Sequence, residues 1–154
     1  MSIYEMISKS RKNYCGDIVD LKEKYRLSEE LASDGVATIY YNIFLHDKDI
    51  RVGSIDLRLK NDGDMYYFGN IGYSIMPKHQ GHHYAYEACK ILFKVAKDEF
   101  NLENLIMTCS PDNIASKKTI EKLNCYYIET VDVPINHELY LKGERVKCIY
   151  KIVL

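Results

Sequence analysis

Apolar residues recur at two periods along this chain, and the change of period divides it in two. Residues 18–32, IVDLKEKYRLSEELA, place Ile18, Leu21, Tyr25 and Leu31 at roughly helical spacing behind Asp17, a residue suited to an N-cap, and predict a helix. Residues 36–46, VATIYYNIFLH, are β-branched and aromatic and read as a strand. Residues 51–60 alternate through Val52, Ile55, Leu57 and Leu59, and read as a second strand after the turn Asp47-Lys48-Asp49. Asn61-Asp62-Gly63-Asp64 has hairpin-turn chemistry, so residues 65–76, MYYFGNIGYSIM, become a third strand that ends at Pro77. In the second half the pattern alternates. Gly81–Phe100 carries Ala85, Ala88, Cys89, Leu92, Val95, Ala96 and Phe100 as an i, i+3, i+4, i+7 stripe and predicts a long helix. Leu105–Cys109 is a short apolar run suited to a buried strand. Asp112 or Asn113 caps a helix over residues 114–123, with Ala115, Thr119, Ile120 and Leu123 on its inner side. Residues 125–133 and 146–154 read as two closing strands, with a turn at Lys142-Gly143-Glu144. The order α, β, β, β, α, β, α, β, β predicts an α/β fold on a mixed sheet.

Composition narrows the class. The 154 residues have no repeat, no low-complexity tract and no Pro/Gly-rich linker, which predicts one domain over 1–154. A 47% apolar content is enough for a real core. Twenty-one Lys and Arg against 22 Asp and Glu exclude a partner held by bulk positive charge, so no nucleic acid is expected. No run of ~18 apolar residues exists, and residues 1–17 have neither the apolar region nor the cleavage site of a signal peptide, so no membrane contact and a cytoplasmic location are expected. Five cysteines without CxxC spacing read as reduced thiols rather than a zinc site or disulfide framework, and no metal is expected.

Chemistry concentrates in Tyr73–Ala88, YSIMPKHQGHHYAYEA. A strand ends at Met76-Pro77, the loop Lys78-His79-Gln80-Gly81 follows, and a helix opens. The first amides of such a helix have no intrahelical partners and suit a phosphate or pyrophosphate, with Gly81 and Ala85 small enough for close approach. An ordinary strand–loop–helix connection fits the same spacing. Neither GxGxxG nor GxxxxGK[ST] is present.

The residues Gln80-Gly81-His82-His83-Tyr84-Ala85 resemble the Gln/Arg-x-x-Gly-x-Gly/Ala motif of the GNAT superfamily of N-acetyltransferases. "GNIGYSIMP" before them is similar to that family's fourth strand, and "YEACKILFKVAK" to the helix behind the motif. "SPDNIASKKTIEKLNC" resembles the family's second motif, and the tail "ELYLKGERVKCIYKIVL" is similar to the closing hairpin of the ribosomal-protein N-acetyltransferase branch. The resemblance covers residues 36–154. It implies a GNAT fold, a mixed sheet whose fourth and fifth strands splay to admit acetyl-coenzyme A, and acetyl transfer from that coenzyme to a primary amine by direct attack. A coenzyme-binding module of the same fold that has lost its chemistry is the alternative.

The resemblance also implies roles. The pyrophosphate would lie on the amides of Gly81, His82, His83, Tyr84 and Ala85, with Gln80 opening the loop. The pantetheine arm would pair with Ser74, Ile75 and Met76. Asn113 would hydrogen-bond the pantetheine or simply cap its helix, and Ser116 would sit near the coenzyme and support the leaving thiolate. Several positions depart from the family pattern. His83 stands where Gly is usual, Asn70 where a Glu often acts as base, and Ile120 where a Tyr often acts as acid. Asn124 replaces a Gly but tolerates the left-handed region its turn needs. The base is therefore open among water, His79, Glu129, Asp132 and Glu138. His82 and His83 read either as phosphate contacts or as solvated loop residues. Tyr73 reads as core or as a neighbour of the thioester, and Tyr66, Tyr67 and Phe68 as strand packing or as a pocket wall. Glu87 reads as a helix-pairing residue, and Cys109 and Ser110 as inert rather than nucleophilic. The acceptor is a small amine or a peptide N-terminus, and a homodimer is compatible with all of this.

Overall fold

A computed structural model of the chain describes residues 11–60 and 62–154. The expectation for the N-terminal stretch before residue 11, and the Asn61 corner of the Asn61–Asp64 turn, lie outside these residues. Five strands form one antiparallel ladder in sequence order: β1 (Asn13–Cys15), β2 (Val19–Leu27), β3 (Thr38–Leu45), β4 (Arg51–Arg58) and β5 (Ile71–Ile75). The chain then crosses over through helix α2 (Tyr84–Phe100) into a second antiparallel ladder in the order β6 (Asn104–Cys109), β8 (Val146–Val153), β7 (Tyr126–Asp132). Helix α3 (Ile114–Lys122) connects β6 to β7. Two one-turn helices, α1 (Met65–Phe68) and α4 (Glu138–Leu141), precede β5 and β8. None of the described helices is long and apolar enough to cross a membrane.

The core forms where the stripe of α2 meets the inward faces of the first ladder. Ala88, Cys89, Leu92, Val95 and Ala96 pack with Val19, Leu21, Ile39, Tyr41, Ile43, Val52, Ile55, Leu57 and Ile71, all buried. Truncating a residue such as Leu92, fully buried in this layer, costs ~2–5 kcal/mol in comparable cores. At the rim of this ladder His46 Nδ1 lies 2.8 Å from the buried Asp20 carboxylate, tying β2 to the β3–β4 turn.

Three sequence expectations are corrected. Residues 18–32 are not a helix, because residues 19–27 pair with both β1 and β3 as strand β2. A bulge between Glu23 and Tyr25 reverses which face the side chains take, so Leu21 points into the core while Tyr25 stacks on Tyr40 at 4.5 Å. The helical spacing comes from Ile18, which lies outside β2 and is exposed, whereas Val19, Leu21, Tyr25 and Leu27 alternate within the strand. Residues 65–68 are a helical turn and not strand, so β5 starts only at Ile71. Helix α2 starts at Tyr84, three residues after Gly81, because Gly81 and His83 adopt φ of +86° and +62° and no right-handed helix accommodates them. Strands β3, β4, β6, β7 and β8, helix α3 and the turn at Asn124 (φ +62°) fall where the sequence places them, whereas the short β1 and the one-turn α4 are not predicted by the pattern.

Candidate active site

The two ladders are joined at Asn70. Asn70, just before β5, donates its backbone N–H to the Ile106 carbonyl at 2.8 Å and accepts from the Ile106 N–H on Oδ1 at 2.8 Å. Its side-chain amide donates to the carbonyls of Arg58 (3.1 Å) and Lys60 (3.3 Å). With 1% of its surface exposed, Asn70 clamps the backbone at the apex of the gap between β5 and β6. Beyond it β5 is hydrogen-bonded to β4 alone among the described strands, and a cleft of about 910 Å³ opens along its other edge.

One end of the cleft is the turn between β5 and α2. Pro77–His79 forms a single 3₁₀ turn, and Gln80 folds its side chain back so that Nε2 donates to the Ile75 carbonyl at 3.0 Å. Gly81 carries the turn into the left-handed region, and a Cβ added there would meet no protein atom within 4 Å. His83, at φ +62°, keeps the backbone conformation that a glycine adopts freely, which accounts for Gly being usual there. As the cap of α2 it provides no side-chain hydrogen bond, so the first amides of the helix face the cleft without a side-chain partner. Ala85 also lines the cleft.

The expected residues divide in two. Ser74, Ile75, Gln80, Gly81, His83, Tyr84, Ala85, Asn113 and Ser116 line the cleft, as does His79. Met76 and His82 do not. The Met76 N–H is committed to the Val52 carbonyl at 2.8 Å, and the His82 ring stacks on Tyr84 at 5.3 Å. The histidines 79, 82 and 83 do not converge as ligands. Among the described residues the ligand atoms that do lie within 4.8 Å of one another belong to Asp20, His46 and Asp47, away from the cleft. Asn113 caps α3 by accepting from the Ser116 N–H at 3.2 Å, which leaves its amide group directed to other partners. Glu87 is ion-paired to Lys90 at 3.1 Å.

The centre of the cleft holds a pair that spacing did not reveal. The Tyr73 hydroxyl on β5 and Ser116 Oγ on α3 lie 2.8 Å apart. Burial raises the Tyr73 phenol above its ordinary 10.0, against the opposing effect of hydrogen bonds with Ser116 and Thr119. Ile120, at the usual tyrosine position, is 1% exposed and belongs to the core. Cys109 does not line the cleft, and burial pushes its thiol up to about 11, which keeps it protonated and unreactive.

At the apex end the lining is Arg58, Phe68, Thr108, Leu139, Glu144 and Lys147. Phe68 is thus a wall residue, although on a helix. Thr108 Oγ1 donates to the carbonyls of Tyr67 and Phe68 at 3.2 Å each. Arg58 Nη1 donates to the Gly69 carbonyl at 3.0 Å, and its Nη2 lies 3.3 Å from Asp56 Oδ2. The guanidinium lies across Gly72 of β5, where a Cβ would stand 2.9 Å from Nη2. Burial raises the Asp56 carboxyl, with Arg58 and the Gly72 N–H pulling the other way. Lys147, 9% exposed, is ion-paired to Glu144. Glu129 instead bonds the Tyr66 hydroxyl at 2.7 Å, Glu138 pairs with Lys142 at 2.7 Å, and neither these nor Asp132 line the cleft. Glu144 and Lys147 were legible only as an i, i+3 pair beside a turn.

The family model described as the acetyltransferase (GNAT) domain matches residues 4–125. The chain is 32% identical over 83 residues to "Uncharacterized N-acetyltransferase YnaD" of Bacillus subtilis (strain 168), a match over 54% of this chain and 47% of that protein. The chain therefore spans about half the length of the curated relative it matches. Among solved structures, a GNAT-family acetyltransferase from Bacillus anthracis superimposes with a TM-score of 0.60 at 28% identity, over 74% of this chain and 65% of that one. RimL, titled a ribosomal L7/L12 alpha-N-protein acetyltransferase, superimposes with a TM-score of 0.67 at 13% identity, over 96% and 97% of the two chains, and shares the fold.

Proposed function

The chain belongs to the acetyltransferase (GNAT) domain family, and from that premise we propose that it transfers acetyl from acetyl-coenzyme A to a primary amine by direct attack. One observation carries this reading: a single cleft runs from the amides of α2, past the open edge of β5, to the Tyr73–Ser116 hydroxyl pair and on to Glu144. The uncapped amides and the space over Gly81 fit a pyrophosphate. The free edge of β5 at Ser74 and Ile75 fits the amide-bearing pantetheine arm, with the Asn113 amide group beside it.

The chemistry balances as follows. The neutral amine nitrogen attacks the thioester carbonyl, a C–N bond forms and the C–S bond breaks. The nitrogen's surplus proton passes to Glu144, the carboxylate at that end, which then releases it to solvent. The departing sulfur takes a proton from the Tyr73–Ser116 pair, which is reprotonated from solvent. Products are the amide and the free coenzyme thiol. Because the thioester is already activated, holding the two reactants together supplies much of the acceleration. The acceptor is a peptide N-terminus or a small amine, and the reduced cysteines suit the cytoplasm.

The test is calorimetric titration with acetyl-coenzyme A, followed by thiol release in the presence of amines. Saturable binding with amine-dependent thiol release is expected. No binding overturns the reading, and binding without amine-dependent release makes the chain a coenzyme-binding module.

A further inference from the structure

The charged side chains along the cleft fall into two groups. Lys118 and Lys122 stand on α3, with Lys122 Nζ 4.4 Å from the centre of the Tyr86 ring, on the side assigned above to the coenzyme. Arg58, Glu144 and Lys147 stand at the other end, beyond the Tyr73–Ser116 pair. We propose that the acceptor is a zwitterionic amine, one that carries a carboxylate or phosphate close to its amino group, with Glu144 facing the amine and Arg58 and Lys147 facing the anion. The inference rests on the acetyl-transfer reading and narrows it.

The burial of Lys147 is the first reason. It interrupts the apolar run of β8, its side chain is 11% exposed, and its carboxylate partner is Glu144. The Glu144 side chain is 36% exposed, so only the lysine is buried, and an ion pair around a buried charge stabilises a fold weakly, apolar residues of the same volume often serving as well or better. An ammonium has three donors, and Glu144 leaves Lys147 able to bond a second anion from the cleft.

The second reason is the rigidity of Arg58. The Gly69 carbonyl, Asp56 and the missing Cβ of Gly72 fix the guanidinium at the start of β5. A planar cation held in advance binds a carboxylate or phosphate with little loss of freedom. The third is repulsion. A polyamine or aminoglycoside would bring a second ammonium against two fixed cations, and like charges brought together select against such acceptors. A neutral amine would leave the cations facing water. The near-zero charge of the whole chain conceals this local pattern.

The experiment is thiol release at saturating acetyl-coenzyme A with two matched sets of acceptors. One set is Ala-Asp, Ala-Asn and Ala-Lys as C-terminal amides, and the other is β-alanine, propylamine and 1,3-diaminopropane. Within a set kcat/KM should be highest for the acid and lowest for the dication, with at least tenfold between them. The set showing the effect tells whether the anion belongs to a peptide or to a small molecule. In Lys147→Gln the acid-over-neutral ratio should fall at least tenfold while the coenzyme KM moves less than twofold. Lys147→Met serves as a second variant, and denaturant midpoints establish that each is folded. A flat or reversed order, a variant that lowers all acceptors equally, or a coenzyme-binding protein that acetylates neither set overturns the proposal. Failure to bind acetyl-coenzyme A in the calorimeter strikes instead at the acetyl-transfer reading beneath it.

Discussion

Replacing Tyr73 with Phe removes one oxygen from the centre of the cleft and leaves the ring in place. The lost bond is the 2.8 Å contact to Ser116 Oγ. Ser116 is half-buried and borders the cleft, so water takes over its hydrogen bond, and the stability cost should lie near ~0.5–1.5 kcal/mol. The catalytic cost is separate. A positioned acid is typically worth 10²–10⁴-fold, but a thiol with an ordinary value of ~8.5 leaves more easily than an amine or alcohol, which favours the low end, about 10² or ~2.7 kcal/mol. Because burial raises the phenol above 10.0, Tyr73 remains a proton donor throughout the assay range, and no loss of activity from its ionisation should appear below pH 10. Tyr73→Phe should therefore lower single-turnover kcat about 100-fold, with coenzyme KM changed less than threefold. Tyr73→Phe/Ser116→Ala should be no slower than the slower single variant, because both remove the same proton path. A folded Tyr73→Phe enzyme with kcat within threefold of wild type would refute the assignment and leave the pair structural. Additive losses in the double variant would refute the claim that the two hydroxyls act as a unit.

Three further outcomes are expected. Asn70→Ala strands the Ile106 N–H and the carbonyls of Arg58 and Lys60, and should cost about 3 kcal/mol or more in urea unfolding; Asn70→Glu should also destabilise without raising kcat, and a faster, equally stable Asn70→Glu enzyme would contradict the clamp. Gly81→Val forces a β-branched residue to φ +86° and projects it into the open space over the loop, so acetyl-coenzyme A affinity by calorimetry should fall tenfold or more, about 1.4 kcal/mol, and unchanged affinity in a folded variant would remove the pyrophosphate from this turn. The hydrogen bond to Asp20 raises His46 above its ordinary 6.5, while burial raises Asp20 but bonds from His46, Asp47 N–H and Gly16 N–H more than offset it and hold it below 3.8. Stability from His46 is then complete below pH 6.5 and lost as pH rises through its folded value, and stability from Asp20 is lost only as pH falls through its own folded value below 3.8. Wild-type urea midpoints should decline as pH rises above 6.5, and a His46→Gln protein with the same decline would refute the linkage.

The sequence disclosed the elements whose pattern is set locally. Helix α2 shows an unbroken apolar stripe, α3 its Asn113 cap, and β3 its β-branched run, so these were legible. Strand β2 was hidden because the exposed Ile18 just before it and the polar run Lys22-Glu23-Lys24 within it obscure the alternation of Val19, Leu21, Tyr25 and Leu27. Helix α1 was hidden because Met-Tyr-Tyr-Phe has strand-like composition, and its fold is imposed by contacts with residues far along the chain, such as Tyr66 with Glu129. The cleft wall around the β5–α2 turn is legible in the sequence, since it lies in one continuous motif. The opposite end is not, because Arg58, Glu144 and Lys147 come together from distant parts of the chain. Likewise the partners Tyr73 and Ser116 are 43 residues apart. Asn70 was legible as a missing base but not as a clamp, since its partners Arg58, Lys60 and Ile106 lie elsewhere along the chain.

The Asn70 clamp also bears on how the molecule comes apart. The strand-to-strand hydrogen bonding between β5 and β6 runs through Asn70 and Ile106, while each ladder is cross-linked within itself by many pairs. The seam between ladders is therefore a natural boundary for partial unfolding, and the Ile106 amide is its reporter. Its proton is shielded by a side-chain carbonyl and not by a neighbouring strand, so solvent exchange at that one position measures how often the two halves part, separately from the fraying of either.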